Sequence, residues 1–283
     1  MNRRHLLTCL LATLLLSGCQ SKPSTPKLRV SMIPSTDPGR IARESQPLID
    51  YLQRETGATI EFTVPTSYAA VVEAITNDKV DIAYLGGFTY VQASSRAAVK
   101  PLVQRLQDKN FHSRFITQPD SPIHSLSDLK GHTFAFGDVN STSGHLMPSY
   151  YMRQEHVDPA VIDKAIYTGG HDATALAVAN RKVDAGAMDE LVLEKMLKTG
   201  KVNTGQIRVF YTTPPFFDYV WVARAGLDPR MAEKFSQALL KLDAATPADK
   251  QVLDLLNAQK YAVANESDYS KLREAATDDG LLR

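Results

Sequence analysis

The chain has 283 residues, 43% of them hydrophobic and 22% charged, with a formal net charge of +1. That balance is ordinary for a globular protein and excludes recruitment of nucleic acid or an anionic membrane by a global field, so any selectivity for an anion must be local. Both cysteines, Cys9 and Cys19, fall at the very start of the chain, which leaves the folded part without a disulfide, a thiol nucleophile or a thiolate metal site.

The first residues read as a processing segment. Arg3, Arg4 and His5 make a basic start, residues 6–16 are apolar but too few to span a bilayer, and Leu16-Ser17-Gly18-Cys19 closes the run. That tetrapeptide resembles a bacterial lipobox, in which the cysteine becomes the lipidated first residue. The expectation is a signal peptide over 1–18, lipid on Cys19 and a Ser- and Pro-rich tether over 19–26. An ordinary signal peptide cleaved elsewhere is the alternative. The remaining length suits one large or two ordinary domains.

Strand and helix signals then alternate. Residues 27–33 alternate polar and apolar side chains, and 43–56 carry Leu48, Ile49 and Leu52 at helical spacing up to a stop at Gly57. A strand over 59–64 completes a β-α-β unit. Next come a helix opening at Thr66-Ser67-Tyr68, a strand over 80–85, a helix from Gly86-Gly87 to about residue 97, and an extended run over 99–106. The pattern begins again with a strand over 113–117, a short capped helix over 125–131 and a strand over 133–137. These lead to the turn Asn140-Ser141-Thr142-Ser143-Gly144 and a helix over 146–152. A strand over 165–167, an Ala-rich helix opening at Gly169-Gly170-His171, a strand over 183–188, a helix capped by Asp189 and a strand over 207–212 follow. Residues 213–222 return to the first half, and the tail is helical over 228–245, 247–258 and 268–276. This order predicts an α/β protein with mostly parallel sheets flanked by helices. Two crossings, near 111–115 and 214–220, would join two halves across a cleft.

Ligand sites in such sheets lie at the carboxyl ends of strands, where helices begin. Thr66-Ser67-Tyr68, Ser141-Thr142-Ser143 and Gly169-Gly170-His171 all answer that description. At Ser141-Thr142-Ser143, a helix start offers unpaired N–H groups and a positive dipole end, and the hydroxyls add uncharged donors. Gly144 lets the backbone come close, so a small oxyanion fits. An ordinary helix cap would need only one of the three hydroxyls. A hydrolytic triad of Ser141, His171 and Asp218 lacks the Gly-x-Ser-x-Gly elbow, and the seven histidines include no His-Glu-x-x-His pair. Neither an enzyme, nor a metal, nor a cofactor is expected.

Five stretches carry a family resemblance: Ser67-Tyr68-Ala69-Ala70-Val71-Val72-Glu73-Ala74, Val80-Asp81-Ile82-Ala83-Tyr84-Leu85-Gly86, Asn140-Ser141-Thr142-Ser143-Gly144, Gly170-His171-Asp172-Ala173-Thr174 with the alanines after it, and Asp218-Tyr219-Val220-Trp221. In this order they resemble the periplasmic solute-binding proteins for phosphonate and phosphite that serve ABC importers. The resemblance implies a type II periplasmic-binding-protein fold with a ligand cleft between lobes, here residues 27–111 with 220–283, and 112–219. It implies closure over a phosphorus oxyanion, phosphonate, phosphite or phosphate, contacted by Tyr68, Ser141, Thr142, Ser143, His171 and Asp218. Phe111 stands where the family often has Tyr. Members that take aminoalkyl phosphonates place a carboxylate near the position of Leu191, so a small ligand without an ammonium group is favoured. The implied partner is an importer permease or, alternatively, a membrane sensor. The expected protein is a monomer, held by lipid on the extracytoplasmic side of a bacterial membrane.

Overall fold

Buried apolar runs, among them residues 82–85 and 220–223, form the centre of a six-stranded first sheet. A computed structural model describes residues 25–159, 162 and 164–282, so the expected signal peptide, Cys19 and most of the tether lie outside the described residues. The first half comprises β1 (Lys27–Met32), α1 (Pro38–Glu44), α2 (Gln46–Thr56), β2 (Thr59–Thr63), α3 (Tyr68–Thr76), β3 (Ile82–Leu85), α4 (Gly87–Arg96) and β4 (Lys100–Arg105). The second comprises β5 (Ser113–Thr117), β6 (Phe134–Phe136), α5 (Met147–Gln154), β7 (Ala165–Tyr167), α6 (His171–Ala179), β8 (Ala185–Asp189), α7 (Glu190–Lys198) and β9 (Arg208–Thr212). The chain returns through β10 (Val220–Ala223) and ends with α8 (Pro229–Leu240), α9 (Pro247–Leu255), β11 (Tyr261–Val263) and α10 (Ser270–Asp278).

Two sheets result, ordered β11-β4-β10-β3-β1-β2 and β7-β6-β8-β5-β9. The β-α-β units pair in parallel, Val30 opposite both Phe62 and Ile82 in the first sheet and Ala135 opposite Ile166 and Gly186 in the second. The strands that carry the chain between halves break the pattern. β10 runs antiparallel between β3 and β4, and β5 runs antiparallel between β8 and β9. Each sheet is therefore mixed, with one crossing strand buried in its middle. Where the two crossings meet, Phe111 and Phe216 exchange both backbone hydrogen bonds at 3.0 Å.

The expected helix over 43–56 is in fact two helices. Pro47 lacks an N–H and its ring would clash with the carbonyl four residues back, so α2 starts afresh with Pro47 in its first turn. The preceding α1 begins at Asp37-Pro38, where the Asp37 carboxylate accepts from the Arg40 N–H. The helix expected to reach residue 245 stops at Leu240, because the Asp243 side chain accepts from the Ala245 N–H at 2.9 Å and diverts the backbone into a turn. The short capped helix over 125–131 is a single 3-10 turn, Leu126–Leu129. β11, three residues on a sheet edge, has no periodicity long enough to be read from sequence.

The apolar core of the six-stranded half extends across the sequence boundary. Leu146, Met147 and Tyr151, from the turn after β6 and from α5, pack into the same buried cluster as β1, β3, β10 and α10. Two smaller clusters fill the faces of the five-stranded sheet. Among the described residues, no helix is long and apolar enough to cross a membrane.

Candidate functional site

Four helix starts converge where the halves meet. Ser67 caps α3, its hydroxyl accepting from the Ala70 N–H at 3.3 Å, and places Tyr68 at the first helical position. Gly86 precedes α4, and its Cα lies so close to the opposite half that a Cβ there would stand 3.0 Å from Thr142 Oγ1 and 3.3 Å from Asp218 Oδ1. After β6, residues Thr142–Leu146 form a single π turn, with Leu146 N–H donating to the Ser141 carbonyl at 3.0 Å. Gly170 opens α6 and places His171 at its first position, with the His171 N–H donating to the Ser35 carbonyl of the other half at 3.0 Å. Gln92 and Asn140 add a bridge of 2.9 Å, and Arg40 and Asp172 an ion pair of 3.6 Å.

The hydroxyls expected to act together have different local duties. Ser141 Oγ caps the turn by accepting from the Gly144 N–H at 3.0 Å. Thr142 Oγ1 accepts from the Phe88 N–H of α4 at 3.0 Å and also hydrogen-bonds the Asp218 carboxylate. Ser143 Oγ is buried with no partner among the described residues. Gly144 must be glycine for space, since a Cβ would meet Ser141 Oγ at 2.9 Å, the His171 ring at 3.0 Å and Gly137 Cα at 3.1 Å.

Four buried polar atoms in this region have no hydrogen-bond partner among the described residues: Tyr68 Oη, Ser143 Oγ, His171 Nε2 and Asp218 Oδ2. His171 Nδ1 accepts from the Asp189 backbone N–H at 3.2 Å, so in the neutral ring the proton resides on Nε2. Burial lowers the His171 pKa against the raising influence of Asp189, Asp172 and Asp138, which favours that neutral donor form. Burial, together with the carboxylates of Asp138, Asp189 and Asp218, keeps the Tyr68 phenol protonated. Tyr68, Ser143 and His171 are therefore three neutral donors. An Nδ1 held by a backbone N–H is not the carboxylate-oriented base of a hydrolytic triad.

Asp218 is the acceptor of the set. Its carboxyl is only 1% exposed, and Oδ1 accepts from the Gly87 N–H at 3.0 Å at the start of α4. Burial, with the charges of Asp108 and Asp189, pushes its pKa up to about 7 against the Gly87 and Thr142 hydrogen bonds. That shift favours the protonated carboxyl far more than at an exposed aspartate.

Phe111 lies fully buried at the crossing, its ring 6.0 Å from Phe216, 5.8 Å from Tyr219 and 5.7 Å below the Arg105 guanidinium. It brings no hydrogen-bonding side-chain atom to the site. Beside Leu191, both carboxylates are engaged. Glu190 accepts from Arg114 at 2.8 Å and from the His112 N–H at 3.0 Å, while Asp189 accepts from Tyr219 at 2.8 Å and from the Val192 N–H at 2.9 Å. The hollow of about 110 Å³ that Arg40, Lys195 and Tyr219 help to line is a neighbour of this constellation rather than its centre, since it touches none of Tyr68, Ser143, His171 or Asp218.

Residues 30–269 match the family described as "ABC transporter, phosphonate, periplasmic substrate-binding protein". The chain belongs to this phosphonate-binding family. One relative in it, the probable ABC transporter phosphite binding protein PhnD1 of Prochlorococcus marinus (strain MIT 9301), is 32% identical over 94% of this chain and 95% of its own. The phosphate-import protein PhnD of Mycolicibacterium smegmatis is 31% identical over 73% of this chain and 69% of its own. The structure of PhnD1 from Prochlorococcus marinus in complex with methylphosphonate superposes with a TM-score of 0.85 at 29% identity, covering 90% of this chain and 98% of that one. These two relatives are thus named for phosphite and phosphate, and the first is seen with methylphosphonate, three ligands that share a tetrahedral phosphorus oxyanion.

Sequence reading missed Asp189 and Tyr219 as parts of the site. Asp189 was legible only as a helix cap, and nothing local to either residue says that one orients His171 and the other binds the first. The Phe88 N–H and the Ser35 carbonyl were equally silent, being backbone groups of unremarkable residues.

Proposed function

We propose that this chain is an extracytoplasmic receptor that captures a small phosphorus oxyanion between its two halves and delivers it to an ABC importer. The observation that carries the reading is the convergence of three buried neutral donors, Tyr68, Ser143 and His171, with one buried acceptor, Asp218 Oδ2, none of them partnered among the described residues. A tetrahedral anion that still carries an acidic O–H satisfies all four, its oxygens taking the donors and its proton lying toward Asp218. Membership in the phosphonate-binding family and the phosphorus ligands named for its relatives support the same class. Ser141 and Thr142 shape the turn and the Asp218 carboxyl, and the segments 27–111 with 220–283 and 112–219 act as the two lobes. The engaged carboxylates beside Leu191 favour phosphite, phosphate or methylphosphonate over a ligand with an ammonium group. The protein works as a monomer held to the membrane by lipid on Cys19, and it performs no catalysis.

A thermal-shift panel of phosphite, phosphate, methylphosphonate, aminoethylphosphonate and sulfate tests this reading. A ligand at a hundred times its Kd stabilises the folded state by about 2.7 kcal/mol, a readily measured shift. Stabilisation by none of the phosphorus compounds would defeat the proposal. For the anchor, Cys19→Ser should move the protein from the membrane to the soluble fraction or leave it uncleaved, and unchanged fractionation and mass would exclude lipidation.

A further inference from the structure

His171 offers its Nε2 proton to the cleft only because Nδ1 is occupied. The Asp189 backbone N–H points at Nδ1 from 3.2 Å. If Nδ1 carried the proton instead, two donors would face each other there and Nε2 would become an acceptor aimed at an anion. The position of one backbone N–H therefore decides whether His171 attracts or repels the ligand.

What holds that N–H is a second pair. Asp189 ends β8, where it lies opposite Ser113 of β5, and its carboxylate is only 2% exposed. Oδ1 accepts from the Val192 N–H at 2.9 Å and Oδ2 from the Tyr219 hydroxyl at 2.8 Å. Tyr219 has little freedom to move. Its ring stacks on Tyr84 at 5.3 Å with an angle of 17°, and the Arg105 guanidinium lies 4.6 Å above it. Arg105 is itself fixed by a buried ion pair with Asp108 at 2.6 Å, and the Asp108 carbonyl accepts from the Asp218 N–H at 3.2 Å. Asp218 and Tyr219 are consecutive and immediately precede β10, so one crossing segment presents the acceptor of the site with one residue and braces its histidine with the next.

We propose that Tyr219 and Asp189 are positioning residues that fix His171 as the Nε2–H tautomer and thereby tie that donor to the segment by which the chain crosses back to the first sheet. The inference rests on the reading of His171 as a ligand donor. Removing the Tyr219 hydroxyl leaves Asp189 with one hydrogen bond where it had two, in a buried place. The carboxylate then turns toward another donor, and the N–H behind it loosens from Nδ1.

The test is nitrogen NMR of histidine-labelled protein, with the His171 signals assigned by their loss in His171→Gln, compared between wild type and Tyr219→Phe. Wild type should show the Nε2–H tautomer alone, with or without methylphosphonate. Tyr219→Phe should shift both ring nitrogens toward the averaged values of mixed tautomers and weaken methylphosphonate binding about five- to twentyfold by calorimetry. Ring signals identical in the two proteins would overturn the proposal even if affinity fell, because a purely structural role lowers affinity without touching the tautomer. Shifted signals with undiminished affinity would overturn it as well. Absence of methylphosphonate binding to wild type would instead count against the functional reading, and the ring signals of the unliganded proteins would still decide the tautomer.

Discussion

An ionised Asp218 beside an oxyanion is tolerable only with a proton between them, and its environment says where that proton comes from. The carboxyl is buried and held at a pKa of about 7, so below neutrality the protein itself can supply the proton, and above neutrality the ligand must. Phosphoryl groups have a second pKa of about 6, whereas sulfate has no proton to give. As pH rises above both values, one proton must be taken up per ligand bound, and apparent affinity should fall about tenfold per unit, or about a hundredfold from pH 7 to 9. Sulfate should be rejected above pH 7 and gain weakly below it. The same carboxyl burdens the unliganded fold. Its folded pKa is raised from 3.8 to about 7, so the stability it contributes is fully present below about pH 4 and lost as pH rises through 7. The loss is on the order of 4 kcal/mol. Asp218→Asn should therefore be more stable than wild type at pH 8, flatten the pH dependence of binding and admit sulfate, since an amide can donate to a dianion. Calorimetry from pH 6 to 9, in buffers of different ionisation enthalpy, counts the protons. Parallel affinity curves for the two proteins, with sulfate still excluded from the variant, would refute the argument.

Other substitutions test the remaining contacts. Thr142→Ala removes the acceptor that the Phe88 N–H finds across the two halves, and should weaken phosphonate binding about two- to tenfold, on the usual 0.5–1.5 kcal/mol for a neutral hydrogen bond; calorimetry showing no change would count against its role. Gly86→Val would push methyl groups onto Thr142 Oγ1 and Asp218 Oδ1 and hold the halves apart, so small-angle scattering should show no compaction with ligand, while wild type compacts. Away from the cleft, burial would raise the Asp81 carboxyl, but hydrogen bonds from Arg29 and Arg224 outweigh it and hold the pKa at about 2. That stability is present above the unfolded pKa near 4 and lost as pH falls toward 2, so Asp81→Asn should cost about 2 kcal/mol at pH 7 by urea unfolding and remove this part of the acid transition.

The legible part of the molecule was what short-range chemistry encodes. The alternation of strands and helices followed from periodicity and turn residues, and the Ser141-Thr142-Ser143-Gly144 turn stood out in the sequence by having more hydroxyls than a cap needs. Its division of labour did not, because whether Ser141 caps, Thr142 bridges to α4 or Ser143 is left over depends on the π turn and on a helix from the other half. The break at Pro47 was written in the sequence and went unread because Leu48, Ile49 and Leu52 keep helical spacing across it. The antiparallel insertion of β5 and β10 is a property of the whole sheet, where a strand buried on both faces reads alike in either direction. Asp189 and Tyr219 act through one backbone N–H and one hydroxyl, and their meaning appears only when β8 and the second crossing lie side by side.

The most direct test of the account is a crystal structure of the protein grown with methylphosphonate. The account predicts the phosphonyl group between the halves, with its oxygens within hydrogen-bonding distance of Tyr68 Oη, Ser143 Oγ and His171 Nε2 and one oxygen facing Asp218 Oδ2. A ligand bound elsewhere, or a phosphonyl group contacting one half alone, would contradict it.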